Sequence, residues 1–166
     1  MGVYDVNGDG LNDVVTSLEA HGWGLAWYEQ KKDKASGAIT FAEHMIMDDF
    51  SAKNPGGVTF SEPHASTFAD VDGDGIPDII AGKRLYAHNE SYNDPDPYGD
   101  AVLYWFRTVR NPKASGGAEF VPEMIHNRSG VGSAVAAVDL NKDGAMDVLT
   151  STNRGTFIFW GMAKKR

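Results

Sequence analysis

Cysteine is absent from the 166 residues, so neither disulfides nor thiolate chemistry is available to this chain. Long apolar runs are missing too. None approaches the ~18 residues that a membrane helix requires, and no membrane insertion is expected. A basic surplus is also lacking, with 15 Lys and Arg against 23 Asp and Glu and a formal charge of −8. No cationic stripe exists to neutralise phosphates, which excludes nucleic acid as a partner.

The acidity itself is concentrated. Three nine-residue stretches, Asp5–Asp13, Asp70–Asp78 and Asp139–Asp147, read DVNGDGLND, DVDGDGIPD and DLNKDGAMD. Their ten carboxylates set aside, the remainder holds 15 basic and 13 acidic residues. Oxygen-bearing side chains stand at positions 1, 3, 5 and 9 of each stretch: Asp5, Asn7, Asp9 and Asp13; Asp70, Asp72, Asp74 and Asp78; Asp139, Asn141, Asp143 and Asp147. Position 6 is glycine, which permits the sharp turn that aims alternate residues inward. Position 7 (Leu11, Ile76, Ala145) would offer its backbone carbonyl. This donor set suits Ca²⁺, which takes six to eight oxygens. Loss of the ion would leave clustered like charges that repel.

An EF-hand shares the first six positions but needs a bidentate Glu at position 12 and flanking helices. Thr16, Ala81 and Thr150 stand there instead. Position 9 opens Asp13-Val14-Val15, Asp78-Ile79-Ile80 and Asp147-Val148-Leu149, which read as buried strands. Each acidic stretch is therefore the turn of a strand–loop–strand unit.

The stretches recur at 65 and 69 positions, a period that marks an array of supersecondary units. Units over residues 1–50, 60–127 and 131–162 each run a strand into the loop, a strand out of it and an aromatic strand. These aromatic strands are Leu25 to Tyr28, Val102 to Phe106 and Thr156 to Trp160. A fourth strand follows in the first two units (Ile39 to Met47, Glu119 to His126), where TFAEHMI and EFVPEMI align. A turn-forming linker, Asp48 to Glu62, separates units one and two. Four antiparallel strands per unit is the plan of a propeller blade. The fold class is therefore all-β, a partial β-propeller of about three blades with the last incomplete. Fewer than three full blades do not close a ring, so the expectation is a C-terminal fragment whose remaining blades lie elsewhere in a parent chain, or an assembly of several chains. An open array with exposed edges is the other arrangement.

The segments DVNGDGLNDVV, DVDGDGIPDII and DLNKDGAMDVL resemble the FG-GAP (VCBS-type) repeats of integrin α-chain propellers and of many bacterial secreted proteins. The resemblance spans the chain at unit level. It implies seven blades in the typical case, with calcium between the first and second strands of a blade. The Phe-Gly and Gly-Ala-Pro positions that name the family are not cleanly present, so integrin-like ligand binding does not carry over. Extracellular modules commonly use ambient calcium, and a secreted, periplasmic or cell-surface location is expected.

Chemistry is expected at the strand ends remote from the acidic loops. His64 lies six residues before Asp70, and Lys83 and Arg84 lie five and six after Asp78, so an antiparallel pairing sets them side by side. Between its last loop Asp and its aromatic strand, unit two takes 27 positions, against 14 and 12 in units one and three. The excess, HNESYNDPDPYGD from His88 to Asp100, is a long proline-bearing loop on a rigid scaffold. Converging turns would pool His21, His64, Lys83, Arg84, His88 and Arg154, with Trp23 and Tyr86 as stacking surfaces. Taken singly, His21, His44 and His126 read as strand-end or surface histidines, and no His pair has zinc-ligand spacing. Two sequons, at Asn89 and Asn127, are permissive only.

Three functions fit this pattern. The first is an extracellular binding module for carbohydrate or protein. The second is a lyase or dehydratase on a sugar, centred on His64, Lys83, Arg84 and His88, in which cations neutralise a carboxylate while a base removes the adjacent proton. The segment AGKRLYAHN resembles calcium-containing propeller enzymes of that kind. A structural spacer is the third.

Overall fold

A computed structural model describes residues 1–88 and 93–162. Its elements are almost entirely strands, with a 3-10 turn at Ser115–Gly117. Unit one is the meander β1 (Gly2–Tyr4), β2 (Asp13–Ser17), β3 (Leu25–Lys32) and β4 (Ile39–Met47), hydrogen-bonded in chain order. Unit two repeats it as β5 (Ser66–Ala69), β6 (Asp78–Gly82), β7 (Leu103–Arg110) and β8 (Ala118–His126). Unit three forms a three-stranded sheet from β9 (Val135–Val138), β10 (Asp147–Thr152) and β11 (Gly155–Phe159). Among the described residues every pairing is antiparallel, as in partial propeller blades, and no sheet closes. The repeat extends to defects: the ladder slips between Leu25 and Ala26, and again between Leu103 and Tyr104 at the same point of unit two.

The first strand of each unit ends one residue before the first carboxylate of its loop. β1 stops at Tyr4, β5 at Ala69 and β9 at Val138. The reason is local. The carboxylates of Asp5, Asp70 and Asp139 collect backbone N–H groups of the loop that follows, which pulls the chain out of the ladder.

The sheets stack with unit two in the middle. β6 is buried along its whole length, and its alternation divides the core. Ile79 and Ala81 join Tyr4, Val15, Trp27 and Phe106 between units one and two. Ile80 turns the other way, to Leu103, Val131 and Val148 between units two and three. Apolar residues therefore face both sides of this strand, unlike the one-sided burial of β1, where Gly2 and Tyr4 are buried and Val3 is exposed.

Candidate functional site

The three acidic loops share one hydrogen-bonding scheme. In the second, Asp70 Oδ1 accepts from Gly73 N at 2.8 Å and Asp74 N at 3.0 Å, and its Oδ2 accepts from Gly75 N at 2.9 Å. Asp74 Oδ1 accepts from Ile76 N at 2.8 Å. Asp5 and Asp9 do the same in the first loop, and in the third Asp139 accepts from Asp143 N and Gly144 N, and Asp143 from Ala145 N. The position-9 carboxylates are fully buried. One oxygen of each accepts from the N–H of position 2 (Val6, Val71, Leu140), and the other from a later strand or its end (Gln30, Thr108, Gly161). Asp13, Asp78 and Asp147 thus staple loop to sheet, a role their spacing alone did not reveal.

Burial is the chief cause that pushes the Asp13 and Asp78 carboxyls above the ordinary aspartate value, and neighbouring loop charges add to it. The donor set is all oxygen. Asp70, Asp72 and Asp78 present oxygens within 4.8 Å of one another, and each carboxylate keeps lone pairs beyond those its N–H partners use. Hard-cation chemistry fits these residues.

Arg110 of β7 closes over the first loop. It donates to Asp5 O at 2.9 Å and Val6 O at 3.4 Å, and it stands 3.7 Å from the Asp5 carboxylate. Unit two thereby holds the loop of unit one. Position 4 of the loops takes a left-handed backbone, at φ 84° in Gly8 and 78° in Gly73. Lys142 adopts φ 64° at that position with a side chain in place.

At the other ends of these strands, four of the pooled residues come together. Arg84 donates to Nε2 of His64 at 2.6 Å. The His64 ring lies 5.0 Å from that of His21, which in turn lies 4.5 Å from that of His88. Nδ1 of His21 and Nε2 of His88 are 2.8 Å apart. Nδ1 of His88 donates to the buried Asp94 in the insertion. His21, read singly as a surface histidine, is thus the link between the other two. His44 instead stacks on Trp27 and bonds Glu29 and Ser115. His126 packs against Phe157 and Phe159.

Lys83 is placed differently. It is buried, and its amine donates to Ser61 and to Pro95 O, with Asp96 at 3.9 Å. It ties the foot of the insertion to the linker before β5. Burial lowers its pKa, against the nearby charges of Asp96, Glu62 and Asp94. Tyr86 is exposed, Trp23 packs against Phe50, and Asn153 of unit three donates to Leu85 O. Arg154 is exposed beside Asn153. The sequon at Asn89 lies outside the described residues.

Sequence reasoning missed Glu62 and Asp94. Glu62 is 1% exposed, and neither carboxylate oxygen has a hydrogen-bond partner. Burial first, and the Asp94 charge second, push its pKa up to about 7 against the pull of Lys83, His88 and Arg84. Its backbone sits at φ 56° and is fixed from three sides: N donates to Gly22 O, and O accepts from His64 N and Arg84 N. Strain of this kind, shared with Tyr86 at 56° and Asp96 at 49°, gathers at functional sites. The one available signal was a carboxylate beside a proline just ahead of His64, and it carries no periodicity.

Residues 5–81 match the family model described as FG-GAP-like repeat. This stretch is an FG-GAP-like repeat. It begins on the first carboxylate of the first loop and ends inside β6, and so covers two acidic loops. The loop at Asp139–Asp147 lies beyond the matched residues yet repeats the same hydrogen bonds. FG-GAP-like repeats build β-propeller-type binding modules and are typical of extracellular proteins. Among the described residues, no helix is long and apolar enough to cross a membrane. No curated protein and no solved structure matches the chain.

Proposed function

We propose that the chain is a calcium-stabilised binding module that works outside the cytoplasm, at the cell surface, in the periplasm or after secretion. Its ligand is taken at the turn face opposite the acidic loops. The observation that carries this reading is the joining of His21 from unit one with His64, Arg84 and His88 from unit two at one place. Two FG-GAP-like units are needed to build it. Beside it, a groove of about 160 Å³ between units two and three is lined by Arg84, Tyr86, Ser133, Ser151 and Asn153. A guanidinium, an exposed tyrosine ring, hydroxyls and an amide suit a carbohydrate, with an acidic sugar held by Arg84. A protein ligand is the other outcome. The larger cavity, about 390 Å³ around Trp27, His44 and Phe120, is lined by none of His21, His64, Arg84 and His88.

Calcium would be held by the three loops through Asp5, Asn7, Asp9 and Asp13, Asp70, Asp72, Asp74 and Asp78, and Asp139, Asn141, Asp143 and Asp147, with the carbonyls of Leu11, Ile76 and Ala145. It would relieve the repulsion among the carboxylates and fix the strand–loop–strand units. The rest of a propeller would be supplied by further blades of a parent chain.

A second reading, a sugar lyase or dehydratase, draws support from one feature. Asp94 orients the His88 ring, and burial pushes the pKa of Glu62 beside them up to about 7, which is the pairing of groups that acid–base chemistry uses. Binding of the calcium-loaded chain to an array of neutral and acidic glycans tests the first reading. Arg84→Ala should lower retention of acidic glycans at least ten-fold. Uniform absence of glycan binding, with no protein captured by the same face, would remove it. Appearance of an unsaturated sugar product in the same mixtures would move the assignment to the second reading.

A further inference from the structure

Glu62, His88 and Asp94 form a cluster separate from the acidic loops. Each offers one ligand atom, and these atoms lie within 4.8 Å of one another. Two of the three side chains are buried, and His88 is half exposed. Both oxygens of Glu62 are shut off from water and unpartnered. The nearest ammonium does not serve them, because the Lys83 amine is spent on Ser61, Pro95 O and Asp96. A buried carboxylate in this condition is costly unless it is protonated or meets a cation.

We propose that Glu62, His88 and Asp94 bind a divalent transition-metal ion of the zinc class. Imidazole among the donors separates this site from the all-oxygen loops and favours zinc, cobalt or nickel over calcium. Nδ1 of His88 faces Asp94 and is the nitrogen turned into the cluster. Nε2 is left to His21, which fixes the ring from behind as outer partners of metal-bound histidines do. The ion takes the place of the proton between His88 Nδ1 and the Asp94 carboxylate, while Nε2–H donates to Nδ1 of His21; an imidazolium His88 releases the Nδ1 proton on binding, and a neutral one carries it on Nε2 instead. Two carboxylates balance the ion's charge. A bond length of about 2 Å brings tetrahedral ligand atoms to roughly 3.3 Å apart. No pair of ligand atoms is more than 4.8 Å apart, and His88 Nδ1 and Asp94 are already closer than the tetrahedral spacing, so rotation of the half-exposed His88 and a small shift of Glu62 bring all three to it. Three protein ligands leave a fourth position for water or for an oxygen of a bound molecule. The site stands on its own geometry, whether or not the adjoining face takes a carbohydrate.

The test is titration of the calcium-saturated chain with Co²⁺ and then Zn²⁺, followed by calorimetry and visible absorption. The expected result is a single high-affinity ion per chain, with the intense absorption of low-coordinate Co²⁺ that Zn²⁺ abolishes. Glu62→Gln and His88→Ala should each weaken binding about ten-fold or more. His126→Gln, at a histidine packed instead against Phe157 and Phe159, should leave it unchanged. Circular dichroism and thermal melting establish that each variant is folded, and the exposed His88 serves as the test if Glu62→Gln is not. Failure of the calcium-saturated chain to bind Co²⁺ or Zn²⁺ stoichiometrically would overturn the proposal. So would binding that survives both substitutions intact.

Discussion

The Arg84 guanidinium donates to Nε2 of His64 at 2.6 Å, which leaves that nitrogen no proton of its own. His64 is therefore the neutral tautomer with hydrogen on Nδ1, an atom that is buried and has no hydrogen-bond partner. Burial is the larger cause holding its pKa below that of an ordinary histidine, and the charges of Arg84 and His21 add to it. In a proton NMR titration of the calcium-loaded chain treated to remove transition metals, His64 should lose its proton at lower pH than a free histidine. Arg84→Leu should raise the His64 value but not restore it fully, because burial remains. Titration of His64 at the value of a free histidine would contradict the geometry.

Asp78 and Asp74 belong to one loop but do different work. Asp78 accepts from two backbone N–H groups, Val71 and Thr108, inside the protein. Asp74 accepts from Ile76 at an exposed position. Asp78→Ala should cost about 2–4 kcal/mol even in chelator, because two N–H groups lose their partner. Asp74→Ala should cost less than about 1 kcal/mol in chelator and mainly reduce the rise in melting temperature on adding Ca²⁺. Chemical denaturation with and without Ca²⁺ separates the two. An unmodified chain whose melting temperature ignored chelator would remove calcium from the account.

Lys142 takes φ 64° where the sister loops carry glycine. A left-handed backbone costs a residue with a Cβ about 1–2 kcal/mol, and glycine returns roughly half of that as unfolded-state entropy. Lys142→Gly should therefore stabilise the chain by about 0.5–1 kcal/mol in urea denaturation. Destabilisation would show that the lysine side chain makes a compensating contact.

Lys83 is the anchor of the insertion. Lys83→Met keeps the stem but removes the charge that holds Ser61 and Pro95 O. It should cost about 2–3 kcal/mol and expose the segment around Pro95 to limited proteolysis, while the His64–Arg84 pair persists. Proteolysis no faster than in the unmodified chain would reassign the anchoring to Asp94.

The acidic loops and the strands around them were legible residue by residue, because their determinants are local. Ligand spacing, a glycine at the turn and an apolar run after the last carboxylate all fall within about a dozen positions. Antiparallel pairing across the second loop also followed, since a short turn leaves its two strands few other partners. The convergence of His64 with Arg84 was expected for that reason.

What spacing could not show is how the units press together. His21 meets His88 across 67 positions, and Glu62 becomes a carboxylate without partners only when the linker folds under the insertion. Lys83 looked like a companion of His64 by position, yet it turns to the opposite side, into Ser61 and Pro95. Neighbouring residues of a strand face opposite ways, and which face meets which neighbour is set by the stacking of the sheets. The chain's local chemistry thus determined where the oxygen-rich loops form and which strands flank them. Long-range packing alone decided which side chains share the opposite end, because burial and charge there depend on contacts that no run of adjacent residues contains.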